Sequence, residues 1–354
     1  MSPIDGVVII DPNYHKHRKV YAVVARTFRY GREDQEIMGL TFYTEDIMDI
    51  KQVYPPKELD QELTPLQERL INKFGKNSYP VTLKIPPRAL PSVRLQLAKV
   101  YAGAPLGVFY ELKLFTASEP EEKPYRRSTV RMALRCVHCI PVQSFNSLAP
   151  PSASLCKTFI LSQGKLVLDV ILDRDVYHHG DIMHVHVTID NNSNKTVKKI
   201  KVYVIQHVHI RMFTKGYFKN LVSFAETKNG LPILPGVSLS RDFFFKLTSF
   251  FKYPVAIAVE GENDDVTILA SSSLNSPQKE DNTYGITVIY TIKVKAVLGF
   301  MDRPVVVRIP FRICNYIAGK NGTISSSLKH QTAFSKELDD DDDENVSSQI
   351  FFQE

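Results

Sequence analysis

Ser128–Val137 reads STVRMALRCV, and its alternation is the point from which the fold can be worked out. With a period of two, Val130, Met132, Leu134 and Cys136 point to one side, and Arg131, Ala133, Arg135 and Val137 point to the other. That is the pattern of a β-strand, and apolar residues on both sides predict burial on both faces. Arg135 would then stand among apolar neighbours on its own face. A buried guanidinium is costly unless carboxylates or phosphates meet its fixed donors, so the strand predicts an anion beside Arg135. An internal ion pair is the plainer reading, and anion sensing the sharper one.

Working outward, the same kind of segment recurs along the chain. Gly6–Asp11 (GVVIID) and Val20–Tyr30 (VYAVVARTFRY) are strand-like, and Ile37–Tyr43 follows the polar tip Gly31–Glu36, which predicts a hairpin with a long charged loop. Val81–Ile85, Val93–Leu97 and Val108–Thr116 complete a first set of strands at sandwich spacing. Pro141–Leu155 (PVQSFNSLAPPSASL) lacks periodicity and reads as a linker. Beyond it, Lys165–Leu172, Met183–Ile189, Val197–Val208, Leu239–Leu247, Val266–Ser273, Thr287–Val297 and Val305–Ile313 predict a second set, with Asn191–Asn194 as a turn. Leu63–Gly75 is the one convincing helix: Thr64 caps it with Gln67 three residues on, Pro65 suits the first position and Gly75 the end. Leu66, Leu70, Ile71 and Phe74 form its apolar stripe, which should lie on a sheet face and leave Arg69 and Lys73 in solvent. The predicted fold is therefore all-β: two consecutive immunoglobulin-like β-sandwich domains over 1–145 and 156–316, one short amphipathic helix on the first, and a disordered acidic C-terminal tail over 317–354.

Composition sets the outer limits. A chain of 354 residues, 44% hydrophobic and 23% charged, has room for two cores, and its first residues show neither a signal peptide nor a membrane span. A cytoplasmic protein is expected. Cys136, Cys139, Cys156 and Cys314 suit that compartment as reduced thiols, and their irregular spacing does not complete a zinc site around Cys136-x-x-Cys139. The sequon Asn194-Lys195-Thr196 is then expected to stay unglycosylated. From Ile317 onward Glu337, Asp339 to Asp343, Glu344 and Glu354 outnumber Lys320, Lys329 and Lys336, so the body is more basic than the formal net charge of +6. A basic body implies anionic partners or contact with its own tail. No zinc finger, RNP-like stretch or helix-turn-helix pattern points to nucleic acid.

Two basic pairs, Lys199/Lys201 and Lys293/Lys295, would make an anion site if their strands adjoin; solvated lysines are the alternative. His184/His186 and His207/His209 each face one way from a strand, but zinc would need neighbouring strands and converging rings, and no metal or other cofactor is expected. No nucleophile elbow, P-loop, dinucleotide fingerprint or His-Glu-x-x-His is present, and an enzyme is not expected. Lys320–Gln331 and Leu338–Glu344 read as disordered, and Gln349–Glu354 (QIFFQE) as a short apolar plug that would dock on a groove or sheet edge or stay free.

Pro3–Asp11 (PIDGVVIID), Phe28–Phe42 (FRYGREDQEIMGLTF), Leu66–Gly75 (LQERLINKFG), Val176–Gly180 (VYHHG), Asn191–Lys201 (NNSNKTVKKIK) and Leu269–Ser272 (LASS) resemble the visual and beta-arrestins, from Pro3 to about Ile313. The resemblance implies a cytosolic clamp that binds activated, phosphorylated G-protein-coupled receptors at the plasma membrane or photoreceptor membrane, with only peripheral membrane association, and blocks G-protein coupling. It implies that Arg135 is the phosphate-sensing arginine of a polar core, and that Val255–Asp265 is the gate loop supplying Glu260 and either Asp264 or Asp265. Gly31, Arg32, Glu33, Asp34, Gln35, Glu36, Ile37, Met38 and Gly39 would be the finger loop that enters the receptor. Arg29, Lys73, Arg126, Arg127 and Arg131 would line the receptor-phosphate groove, and Lys201, Lys293 and Lys295 an inositol-phosphate or phosphoinositide site.

Departures accompany the resemblance. Against the family the chain begins after the first strand and most of the second, so the phosphate-meeting lysines and arginine-pairing aspartates of that region have no counterpart here, and a truncated isoform is one expectation. Glu260 replaces an aspartate, and Glu262, Asn263 and Asp264 replace lysines of the gate loop. Ile205 occupies a position that is basic in the beta-arrestins. Ser335–Asp339 (SKELD) keeps only the end of a clathrin box, and Gln349–Glu354 lacks the spaced phenylalanines and arginine of the adaptor-binding latch, which leaves endocytic partners open. The alternative function is a scaffold or trafficking adaptor without a working phosphosensor.

Overall fold

The computed structural model describes residues 3–11, 18–31, 41–57, 62–87, 89–96, 106–120, 122, 129–137, 150–159, 164–212, 215–227, 230–248, 257–260, 268–273, 285–299, 302–314 and 351–353. The elements in order are β1 (Ile4–Ile9), β2 (Lys19–Arg29), β3 (Tyr43–Tyr54), α1 (Pro65–Phe74), β4 (Ser78–Leu83), β5 (Val93–Gln96), β6 (Gly107–Ala117) and β7 (Thr129–Leu134). Then come β8 (Ser152–Thr158), β9 (Gly164–Leu172), β10 (Val176–Tyr177), β11 (Ile182–Ser193), β12 (Lys199–Arg211) and β13 (Lys215–Thr227). The last are β14 (Val237–Lys246), β15 (Ile257–Glu260), β16 (Ile268–Leu269), β17 (Gly285–Val297), β18 (Val305–Ile313) and β19 (Phe351–Gln353). Strands dominate, with a single short helix among the described residues, as two β-sandwiches require. The chain divides into two compact units, one of Met1–Leu95, Ala102–Val137 and Leu274–Ile286, the other of Gln96–Tyr101, His138–Ser273 and Thr287–Glu354.

In the first unit β2 is the central strand, paired antiparallel with β3 on one side and β6 on the other. β5 and β7 both pair β6. One face of this sheet meets the antiparallel β1–β4 pair and buries Val8, Val20, Ala22, Val24, Val53, Val81 and Leu83. β2 is buried along nearly its whole length because both its edges and both its faces are covered. The other face carries a smaller cluster of Tyr21, Val23, Ala25, Phe115 and Ala117.

Helix α1 forms where its sequence signals place it. The Thr64 side chain accepts from Gln67 N–H, the Gln67 side chain accepts from Thr64 N–H at 3.0 Å, and Gly75 at φ 86° ends the helix. It packs on β1 and β4, but not by the expected stripe. Leu66 and Phe74 are exposed, and the buried residue is Gln67, which donates to the Val81 carbonyl and the Thr82 hydroxyl, both at 3.1 Å. A short helix on the rim of a two-stranded sheet reaches it with one polar anchor rather than a full apolar face.

The second unit has one sheet in the order β14-β11-β9-β8 and another in the order β10-β18-β17-β12-β13-β19. The facing residues Leu166, Leu168, Val170, Val185, Val187, Ile189, Ile292, Val294 and Ile309 are buried at every second position, as two packed sheets demand. Several expectations are corrected here. The last part of the expected linker, Ser152–Leu155, is strand, the first half of β8, which pairs along β9. The expected turn at Asn191–Asn194 is largely strand, since β11 runs to Ser193 with Asn191 buried and donating to the Lys195 and Ile233 carbonyls. β3 and β13 were not anticipated: their charged and aromatic residues hide the alternation. In the tail, Phe351–Gln353 is a strand on Lys215–Tyr217 of β13, one of the two expected fates of the apolar plug, whereas Lys320–Gln331 and Leu338–Glu344 lie outside the described residues.

Candidate functional site: a cationic strand edge and a basic sheet face

β7 is not the doubly buried strand that its composition predicts. It pairs only β6, and no strand lies on its far edge among the described residues. Val130 is 66% and Met132 50% exposed on the side that continues the core face. Arg135 is exposed and stands one residue beyond the strand. Its backbone neighbourhood is fixed nonetheless: Ser92 N–H donates to the Cys136 carbonyl at 2.8 Å, and Cys136 N–H donates to the Ser92 hydroxyl at 3.0 Å. Two apolar faces imply burial only when neighbouring strands and a second layer cover them; at an uncovered edge they do not.

Among the described residues of this unit the buried guanidinium is that of Arg26, at 6% exposure within β2. It pairs with Asp46, its direct cross-strand partner on β3, and its Nε has no hydrogen-bond partner. Tyr110 lies opposite Arg26 on β6, donates to the Leu90 carbonyl at 2.6 Å, and has its hydroxyl pKa pushed up by burial. On the other face of the sheet Lys113, also buried, pairs with Glu45 and lies 3.7 Å from Glu111, which in turn lies 3.9 Å from the exposed Arg131. Glu111 is thus shared between a buried ammonium and a surface guanidinium. Sequence reasoning missed Arg26 although the signal was present, a single arginine inside VYAVVARTF; the rule applied to Arg135 holds with more force there.

Of the other expected receptor-facing residues, Arg29 lies over the Tyr43 ring at 5.3 Å and Lys73 over the Phe74 ring at 5.3 Å, both at surface positions. Gly31 closes the base of the expected finger loop: Tyr30 N–H donates to the Phe42 carbonyl at 2.8 Å, and a Cβ on Gly31 would lie 2.2 Å from Phe42 Cβ. Arg32 to Gly39, Arg126, Arg127, Asp264 and Asp265 lie outside the described residues. Glu260 ends β15, which pairs β16.

In the second unit β12 and β17 are neighbours, so the two basic pairs meet. Lys199, Lys201 and Tyr203 alternate with buried Ile200 and Val202, while Lys293 and Lys295 alternate with buried Ile292 and Val294. Lys293 Nζ lies 5.4 Å from the Tyr203 ring centre, which puts both strands' outward residues on one face. Arg308 of β18 stands opposite Lys293 and adds a fifth cation. Glu226, 3.2 Å from Lys199, is the carboxylate that offsets part of this field.

The two His-x-His pairs lie in different sheets and do not converge. His207 bonds Tyr217 and Thr291 through its two ring nitrogens, both at 2.7 Å, and burial lowers its pKa to about 4. It is a neutral structural residue. His184 and His186 instead share Asp242 of β14, at 2.8 and 2.6 Å. Cys136, Cys156 and Cys314 form no disulfide.

Residues 2–139 match the N-terminal domain of arrestin (or S-antigen), and residues 162–317 match its C-terminal domain. The chain belongs to the arrestin family. The chain is 39% identical to phosrestin-2 of Drosophila melanogaster over 314 residues, 88% of this chain and 85% of that protein. The lateral-eye arrestin of Limulus polyphemus is 41% identical over 318 residues, 89% and 77% of the two chains. Phosrestin-1 of Calliphora vicina is 34% identical over 360 residues, 99% and 89%. Arrestin membership accounts for the two sandwiches and for the helix α1 on the first. No described helix is long and apolar enough to cross a membrane.

Proposed function

We propose that this arrestin is a non-enzymatic cytoplasmic adaptor that is recruited to a membrane by activated, phosphorylated G-protein-coupled receptors, blocks their coupling to G proteins and thereby desensitises them. The observation that carries the reading is the edge of β7, where Arg131 on the strand and Arg135 one residue beyond its end are both exposed. Four residues of extended chain span at most about 13 Å, which leaves room for two phosphates on an extended segment. Arg29, Lys73, Arg126 and Arg127 are proposed to extend that surface, and Gly31 to Gly39 to enter the receptor. Glu111, between Lys113 and Arg131, is the internal anion that an arriving phosphate displaces. The face of Lys201, Lys293 and Lys295 is proposed to take inositol phosphates or phosphoinositides, with Lys199 and Arg308 beside it. Glu260, Asp264 and Asp265 are proposed to balance Arg135.

A second reading follows from the exposure of Arg135: a guanidinium open to solvent is not a buried charge that an arriving phosphate unbalances, and the chain is then an adaptor without a phosphosensor. Pull-down on activated receptor, with and without receptor phosphorylation, separates the two. Retention only on phosphorylated receptor, lost in Arg131→Gln/Arg135→Gln, supports desensitisation by phosphate recognition. Equal retention on both forms overturns it in favour of the phosphate-independent adaptor.

A further inference from the structure

The solvent face of β11 and β14 carries an arrangement outside the surfaces proposed above for receptor binding. In the register of the two strands His186 stands opposite Asp242, His184 opposite Phe244, and Thr188 opposite Ser240. The alternate residues Val185, Val187 and Ile189 are fully buried, so the backbone beneath this ladder is fixed by the core of the unit. Asp242 is directly across from one histidine and diagonal to the other, and the ring geometry follows that difference: the near histidine reaches the carboxylate with Nδ1 at 2.6 Å, and the diagonal one with the longer arm of Nε2 at 2.8 Å.

We infer that His184 Nε2, His186 Nδ1 and Asp242 Oδ1 form a binding site for one divalent transition-metal ion, of the zinc class. The three ligand atoms lie within 4.8 Å of one another. A tetrahedral zinc with bonds of about 2.0–2.2 Å holds its ligand atoms about 3.3–3.5 Å apart. Small rotations of three partly exposed side chains therefore bring all of them into the shell, and the fourth position faces water. Two imidazoles and a carboxylate select zinc, cobalt, nickel or copper over calcium and magnesium, which ask for oxygen ligands.

The surroundings supply what ligands of this kind need. His184 stacks on Phe244 with ring centres 4.9 Å apart and planes 10° apart, which fixes its rotamer. The remaining nitrogen of His186, Nε2, lies 3.0 Å from the Ser240 hydroxyl and 3.4 Å from that of Thr188. With the metal on Nδ1, the proton moves to Nε2 and is donated to one of those oxygens, an outer contact that orients the ring. The metal takes the place of the two ring N–H groups that now bond Asp242. Each neutral ring shifts that proton to its far nitrogen, Nδ1 of His184 and Nε2 of His186, so no proton has to leave the protein. Asp242, which accepts from both rings, brings the negative charge the ion requires. Because β14 is the edge strand of its sheet, the ion would fasten that edge to β11.

The test is zinc titration of the full chain by calorimetry, with cobalt as a spectroscopic probe. One ion per chain is expected, with cobalt absorption of low coordination number and a higher melting temperature of the second unit when zinc is present. His184→Ala/Asp242→Asn should abolish the bound equivalent, Ser240→Ala should weaken it by about tenfold, as loss of an outer contact does, and His207→Gln/His209→Gln should leave it intact. The metal-free melting temperature of each variant checks that the fold survives. Absence of a stoichiometric ion, or zinc binding unchanged by His184→Ala/Asp242→Asn, overturns the inference.

Discussion

Removing the carboxylate opposite Arg26 should cost far more than removing the arginine itself. Arg26 is 6% exposed between β3 and β6, whereas the side chain of Asp46 is 49% exposed. Deleting one partner of a buried ion pair costs about 3–5 kcal/mol, because a charge is left in a medium that cannot solvate it. Here the two deletions are unequal. Asp46→Ala strands a buried guanidinium whose Nε already lacks a partner; water reaching it through the vacated surface position lowers the cost to about 2–3 kcal/mol. Arg26→Met strands a half-exposed carboxylate that water hydrates, and puts an apolar side chain of similar length among Val24, Phe28 and Tyr110, so its cost should stay below about 1 kcal/mol or become a gain. The assay is urea unfolding of the two variants and the double variant, followed on the transition of the first unit. Asp46→Ala should lower its midpoint clearly, Arg26→Met should not, and adding Arg26→Met to Asp46→Ala should recover most of the loss. Equal losses in both single variants, or no recovery in the double, would show that the pair is not a buried charge with an exposed counterion.

Other parts of the fold give equally definite expectations. Gly31→Ala places a Cβ 2.2 Å from Phe42 Cβ and should destabilise the loop base by about 1–3 kcal/mol, read as faster amide exchange at Tyr30; unchanged exchange refutes the tight closure. His207 has a pKa of about 4 when folded and an ordinary value of 6.5 when unfolded, so the unfolded chain binds the extra proton between those values. Stability is therefore complete above about pH 6.5 and falls as the pH drops toward 4, by about 1–2 kcal/mol once the ring's partial solvent access is discounted. His207→Gln should flatten that limb, and an unaltered slope would assign the loss elsewhere. Thr64→Ala removes one half of the capping box and should cost about 1 kcal/mol, detectable as a lower melting temperature of the first unit.

The sequence made the all-β class legible because most strands of the second unit bury one face, which leaves a clean period of two in β9, β11, β12, β17 and β18. Capping chemistry located α1 to within a residue or two, since the Thr64, Pro65 and Gln67 signals are local. Arg135 was misjudged because burial is not a property of one strand: it depends on whether a neighbour and an opposing layer exist, and among the described strands β7 pairs β6 alone. Arg26 was overlooked because its counterion, Asp46, is remote in sequence and only the β2–β3 register brings the two together. The same blindness applied to Asp242, whose meeting with His184 and His186 depends on the pairing of β11 with β14. By contrast, the grouping of Lys201 with Lys293 and Lys295 was foreseeable up to one condition, the adjacency of β12 and β17, and that condition is met.

Phosphate recognition at the β7 edge is tested most directly by the affinity of the chain for a doubly phosphorylated receptor-tail peptide against its unphosphorylated form, measured at two salt concentrations with and without Arg131→Gln/Arg135→Gln. The unaltered chain should prefer the phosphorylated peptide by at least about tenfold at low salt, with the preference shrinking as salt rises and mostly lost in the double variant. Equal affinity for the two peptides, or a preference that survives the loss of both arginines, would contradict the account.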